Sequence, residues 1–187
     1  MVQDSSLTNH LLIAMPGMDD PNFSATVTLI CEHNDDGALG IIINRPLNIN
    51  LGGLFDQLAV SEANPESANS PVLSGGPVGL ERGFVLHDPS KEYENSLAVS
   101  DAISLTLSRD IIEAMASGSG PDKSIVALGY AGWEAGQLEQ EMLANSWLTV
   151  PATAEIVFDT PFAERWAKAA DSIGIDISKL SPHAGHA

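Results

Sequence analysis

Cationic side chains are scarce in this sequence. Eight Lys and Arg stand against 25 Asp and Glu in 187 residues, a formal net charge of −17. That field repels phosphate backbones and anionic lipid surfaces and favours solubility. The cations are also scattered, at Arg45, Arg82, Lys91, Arg109, Lys123, Arg165, Lys168 and Lys179. No run of them marks a nucleic-acid face, so the charge argues against direct nucleic-acid binding. Cysteine is nearly absent. Cys31 has no partner within the chain, which excludes an internal disulfide and any zinc finger built from cysteine pairs. No apolar run reaches the roughly 18–20 residues that cross a bilayer. The polar start, Met-Val-Gln-Asp-Ser-Ser, lacks the basic and apolar regions of a secretory leader. The expectation is a protein of the cytoplasm with no membrane partner.

Several catalytic and cofactor signatures are missing too. There is no G-x-S-x-G elbow and no H-E-x-x-H pair. Neither the dinucleotide nor the phosphate-loop glycine spacing occurs, and no repeat recurs at solenoid or propeller period. Cofactor and metal are therefore both expected to be none. His183 and His186 have i,i+3 spacing, but Pro182 and Gly185 argue against a helix there.

What is present reads as one α+β domain over 10–187 behind a loose stretch at 1–9. His10 to Met15 is a short apolar strand stopped by Pro16-Gly17. Residues 25–33 alternate, with Val27, Leu29 and Cys31 on one face and Thr26, Thr28 and Glu32 on the other, as in a half-buried strand. Asn34-Asp35-Asp36-Gly37 turns the chain into a returning strand at Ala38 to Ile43. Asn50 caps a short helix with Leu51, Leu54, Phe55 and Leu58 on one stripe. Residues 61–71 are polar and read as loop. Strands are expected at 72–73, 83–86, 97–99, 103–107, 124–128, 147–150 and 155–158. Ser108 is expected to cap a helix with Ile111, Ile112 and Met115 inward, and Gly118, Gly120 and Pro121 to stop it. Thr160 and Pro161 are expected to start the last helix, with Phe162, Trp166, Ala169 or Ala170, and Ile173 facing inward. Strands adjacent to strands as well as to helices imply a mixed, strongly curved sheet rather than a doubly wound one.

The stretch ALGYAGWEAGQLEQE (127–141) supplies the leading site candidate. An apolar strand reaches Gly129, Gly132 and Gly136 around Tyr130 and Trp133, and an acidic helix comes next. Gln137 and Glu141 lie one turn apart on that helix. A strand that breaks on glycines before a helix is a common ligand position in α/β proteins. The bland reading puts Trp133 in the core and the glycines in tight strand–helix packing. Gly75-Gly76-Pro77, with Arg82 five residues beyond, can bind an anion through backbone N–H groups and a guanidinium, or can simply be a tight turn. Asn44-Arg45 ends the central apolar strand, either at a ligand or as a terminator with a structural arginine. His87 is a candidate general base, yet the adjacent Asp88 points to the other face, and a hydrogen-bonded structural histidine is the simpler reading. Glu32 and His33 are metal ligands only with partners from elsewhere, and Cys31 reads as an inert buried thiol. The candidate ligand-binding set is Asn44, Arg45, Gly75, Gly76, Arg82, Tyr130, Trp133 and Gln137, and no catalytic residue is assigned.

The segments HLLIAMPGMDDPNF (10–23), LICEHNDDGALGIIINRP (29–46), LSGGPV (73–78), RGFVLH (82–87), LGYAGWEAGQLEQE (128–141), NSWLTVP (145–151) and the terminal GHA (185–187) resemble the YqgE/AlgH family of bacterial proteins. The resemblance implies a bifurcated sheet curled into a pseudo-barrel with helices outside it. It implies no catalytic residues, because that family has no agreed activity, although a role in regulating alginate synthesis gave it part of its name. Three functions stand as expectations. The first is a binding or regulatory protein receiving a small anionic ligand or a protein partner in a cleft lined by the glycine turns. The second is a transcriptional regulator, and the third a hydrolase using His87 with Glu32 or Glu141.

Overall fold

A computed structural model describes residues 6–18, 20–61 and 64–176. His183, His186, Lys179 and the terminal GHA lie outside them. The strands are β1 (His10–Ala14), β2 (Val27–Asn34), β3 (Gly37–Ile42), β4 (Pro46–Asn50), β5 (Pro71–Ser74), β6 (Val78–His87), β7 (Ser96–Ala98), β8 (Ser104–Thr106), β9 (Ser124–Glu134) and β10 (Trp147–Pro151). The helices are α1 (Leu51–Gln57), α2 (Pro65–Ala68), α3 (Arg109–Ala116), α4 (Gln137–Leu143) and α5 (Arg165–Asp171). One mixed sheet runs β10-β1-β2-β3-β9-β6-β8-β7, with β5 parallel to β9 and β4 paired to β5. It curves strongly into a half-barrel with helices around it, the α+β architecture the sequence implies.

β9 is the axis of this sheet, and here the expected strand–turn–helix is corrected. The strand does not stop at Leu128. It runs on through Gly129 and Gly132 to Glu134, and α4 starts only after Gly136, whose φ is 78°. β6 lies along one edge of β9. The other edge is shared, by β5 at Val126 to Leu128 and by β3 at Ala131 to Glu134. Gly129, at φ 81°, marks the change of partner. Before it, Ile125 and Ala127 face the main core; after it, Tyr130 does. A single left-handed residue thus shifts the alternation by one, as a bulge does.

Both faces of the sheet are covered. The main core joins Leu11, Leu29, Ile41, Phe84 and Leu105 to Ala169 and Ala170 of α5. A second cluster packs α1 and α3 on Val72, Val85 and Val126. A third gathers Leu12, Ile30, Trp133, Leu138 and Trp147. Two-sided cover corrects the half-buried reading of β2, since Thr28 and Ile30 are as buried as Leu29. Cys31 faces the main core with Val27 and Leu29, as the alternation places it, and burial pushes its thiol pKa up.

Other local expectations are met or corrected by hydrogen bonding. Asn50 caps α1 by accepting from the Gly53 amide at 3.0 Å. Ser108 stands at the start of α3, but its hydroxyl donates to the Asp110 carboxylate instead of capping. The polar stretch 61–71 holds α2, capped by Asn64. Residues Glu155–Asp159 form a π-helical turn rather than a strand, and the Thr160 hydroxyl donates back to the Glu155 carbonyl. α5 therefore begins at Arg165, and Ile173 is left exposed instead of inward.

Candidate functional site

The eight candidate residues fall into three neighbourhoods. At the fork of the sheet, the Gly75 amide donates to the Leu128 carbonyl and the Gly75 carbonyl accepts from Ile42, each at 2.8 Å. A Cβ on Gly75 would sit 2.4 Å from the Gly129 oxygen, and one on Gly76 2.1 Å from the Tyr130 carbonyl carbon. The two glycine segments do meet in space, and their backbones fill the space between them. Tyr130 stacks edge-on to Phe84 at 5.6 Å, and the Arg82 guanidinium lies 5.7 Å from the centre of the same Phe84 ring. Gly79 packs beside both Tyr130 and Arg82. Gly75, Gly76, Tyr130 and Arg82 thus form one patch.

Trp133 points to the opposite face of β9. Its indole N–H donates to Glu141 Oε1 at 3.1 Å, and the Trp147 indole N–H donates to the same oxygen at 2.9 Å. Gln137 Nε2 donates to Glu141 Oε2 at 2.9 Å, while Gln137 Oε1 accepts the Glu134 amide. The expected shared face of Gln137 and Glu141 is real, and what it meets is the indole pair. Phe23 closes this cluster, 6.1 Å from Trp133 and 5.5 Å from Trp147.

Arg45 reaches the second neighbourhood indirectly. Its guanidinium donates to the Asn22 carbonyl at 2.7 Å and the Ser24 carbonyl at 2.8 Å, clamping the segment that presents Phe23. Asn44 seals the adjoining strand end, accepting from the Val27 amide and donating to the Ala25 carbonyl, both at 2.9 Å. Both side chains act as braces for the 22–27 turn.

His87 is 1% exposed with both ring nitrogens engaged, one with the Asp88 carbonyl at 2.7 Å and one with Thr106 Oγ1 at 2.6 Å. Asp88 turns away, accepting from the Ser90 and Lys123 amides. Burial works against its charge, yet those hydrogen bonds outweigh it and hold its pKa below the usual carboxylate value. Glu141 is committed to the indoles. His33 accepts the Leu7 amide on Nδ1 and meets Glu139 through Nε2 at 2.7 Å. Among the described residues no cluster of three or more His, Cys, Asp or Glu is placed to hold a metal ion.

Two cations are set apart by the tertiary structure. Arg82 is the one Lys or Arg among the described residues with neither an ion pair nor a hydrogen bond to the described protein. Arg109, Lys123 and Lys168 pair with carboxylates, and Arg45, Lys91 and Arg165 bond carbonyls. Arg82 stands on a stretch, Gly79 to Arg82, that pairs with neither β8 nor β9, beside Val78 (42% exposed) and Leu80 (61% exposed). The other cation is Arg165, at 2% exposure the largest of the deeply buried side chains. It donates to the Thr160 and Ile43 carbonyls and lies 4.5 Å over the Phe162 ring, and desolvation brings its pKa down to about 10. Arg82 is a candidate from the sequence by its place after the 75–77 turn, but its lack of a polar partner among the described residues is not legible there; no sequence pattern sets Arg165 apart as the buried cation of its helix.

A family model described as AlgH-like matches residues 11–178. A UPF0301 protein of Nitrosococcus oceani is 52% identical over 179 residues, covering 96% of both chains. One of Vibrio parahaemolyticus is 50% identical, covering 97% of this chain and all of its own. The solution structure of the AlgH protein of Pseudomonas aeruginosa superposes with a TM-score of 0.81 at 45% identity, covering 100% of this chain and 99% of the other. A crystal structure from Corynebacterium diphtheriae, 17% identical with a TM-score of 0.73, covers 95% and 92% and shares the fold.

Proposed function

This chain belongs to the AlgH-like family, and from that premise and the geometry of β6 we propose that it is a single-domain cytoplasmic binding or regulatory protein. Its site is the Arg82 patch, and its ligand is an extended segment of a partner protein that carries one carboxylate among apolar residues. The observation that carries this reading is the guanidinium of Arg82, unpaired among the described residues, on an unladdered strand stretch in a chain of charge −17. With so many carboxylates available, an arginine that meets none among the described residues is kept for something else. Exposed Val78 and Leu80, both just before Arg82, supply apolar contact, and the bulged stretch 79–82 stands outside the ladders with β8 and β9, where a partner's backbone can approach. A planar guanidinium held against Phe84 is pre-oriented for a carboxylate. The overall charge repels strongly acidic partners, so the carboxylate belongs to a segment that is otherwise neutral.

A photo-cross-linking residue placed at position 80 in growing cells tests this. It is expected to capture a discrete partner that Arg82→Glu loses. The same cross-linker at Leu143, which is 85% exposed on α4, reports background. Capture that survives Arg82→Glu, or the same species at both positions, refutes the proposal.

A further inference from the structure

The buried Arg165 lines a cavity of about 120 Å³, walled also by Ser70, Ser124, Phe158 and Phe162 among others. Ser70, Met115 and Ser124 also wall an outer, polar cavity of about 270 Å³ that includes Glu66 and Asp122. The two therefore adjoin across a shared wall, the larger and more polar a vestibule and the smaller a chamber beside it. Neither shares a lining residue with the Arg82 patch, so this is a separate site.

The guanidinium is incompletely used. Nε donates to Thr160 and Nη1 to Ile43, which fixes its plane, while Nη2 donates to no atom of the described residues. Among those residues no carboxylate lies within ion-pair distance of Arg165. Asp159, the acid that influences it electrostatically, is held bidentately by Lys123 Nζ at 2.7 and 2.8 Å. An arginine buried to this degree, with Asp159 nearby but no direct ion pair among the described residues, loses hydration that two carbonyls restore only in part. Folding keeps it there, fixed by two backbone acceptors, in the wall of a chamber that Ser70 and Ser124 also line, the Ser70 hydroxyl donating weakly to the Glu66 carbonyl at 3.5 Å.

We infer that this chamber binds the carboxylate of a small monocarboxylate, with Arg165 donating from Nη2 and Ser70 or Ser124 completing its hydrogen bonds. The vestibule selects the rest of the molecule. Glu66 and Asp122 at its wall disfavour a second negative charge and favour an ammonium or hydroxyl tail. Phosphate, doubly charged near neutral pH, is therefore a poor ligand, whereas an amino-carboxylate fits both compartments.

Titration of the full chain by ¹H–¹⁵N NMR, with acetate, 4-aminobutyrate and inorganic phosphate as separate probes, tests the assignment. The expected result is saturable movement of the Arg165 Nε–H and of the Ser70 and Ser124 amides. 4-Aminobutyrate should bind tighter than acetate, and phosphate more weakly than either. Arg165→Lys is expected to weaken carboxylate binding about tenfold or more, the worth of one charge-assisted hydrogen bond. Ser124→Leu guards against an unfolded variant: it fills the junction between the compartments, leaves both carbonyl bonds of Arg165 in place, and is expected to abolish binding with the spectrum still folded. Absence of saturable shifts with both carboxylates, or Ser124→Leu binding as wild type does, overturns the site. Phosphate binding as tightly as acetate overturns the assigned ligand class.

Discussion

Replacing Glu141 by alanine strips one acceptor from two indoles at once. In the native protein Oε1 takes the Trp133 and Trp147 N–H groups at 3.1 and 2.9 Å, and both tryptophans are nearly buried, at 6% and 4% exposure. A buried donor left without a partner costs about 1–3 kcal/mol, and hydrogen bonds to a charged acceptor sit at the upper part of that range. Glu141 is only partly buried, so water entering the truncated space recovers some of this. The expected loss is then about 2–4 kcal/mol, or roughly 4–16 °C in Tm for a chain of this size. Glu141→Gln keeps an oxygen for the indoles and puts its NH₂ opposite that of Gln137, so its expected cost is smaller, about 1 kcal/mol. Urea unfolding monitored by tryptophan fluorescence measures both, and the native emission of the alanine variant should also change because the indoles lose their common acceptor. An alanine variant within about 0.5 kcal/mol of wild type would refute the idea that this carboxylate holds the third cluster together.

Backbone sterics and charge give two further expected outcomes. Gly76→Ala places a Cβ 2.1 Å from the Tyr130 backbone and is expected to lose more than about 4 kcal/mol or fail to fold, whereas Gly136→Ala, with open space around it and only its φ of 78° to contend with, is expected to lose about 1 kcal/mol; thermal denaturation of the pair separates steric exclusion from conformational preference. Asp88 has a folded pKa below the ordinary 3.8, so its contribution to stability is complete above that value and disappears as pH falls through the depressed folded pKa. Asp88→Asn is accordingly expected to flatten the acid limb of stability against pH, and an unchanged limb in urea titrations across pH 2–6, roughly the carboxylate range, would count against it.

Local pattern is enough for the elements whose period is their own. The alternation of residues 25–33, the Asn34–Gly37 turn and the Asn50 cap each act over a few residues, so the β2–β3 hairpin and α1 stand where the sequence places them. Residues Glu155–Asp159 mislead because a five-residue, largely apolar stretch suits a strand or a tight helical turn equally, and only packing beside α5 selects the turn. Gly129 misleads for a related reason. A glycine that ends a strand and a glycine that shifts its alternation look the same in one dimension. The difference is whether another strand, here β3, lies ready to pair with residues 131–134.

Side-chain partnership is less legible still. Gln137 and Glu141 come together through helix geometry alone, but Trp147 comes from the far side of α4, and nothing local joins it to Trp133. The sequence reading has the candidate residues lining one hollow. The alternation of β9 instead sends Tyr130 and Trp133 to opposite faces, and Arg45 is spent on carbonyls of the 22–24 segment.

Composition, periodicity and motif order by themselves determined the family, the α+β class and the strongly acidic character of the chain, because each is a sum over residues or a short-range pattern. Tertiary structure alone decided which guanidinium has no polar partner among the described residues, which is buried beside a cavity and which acts as a brace. All three carry the same charge on the same stem, and their difference lies wholly in which distant carbonyls, rings and carboxylates the curved sheet brings within reach of them.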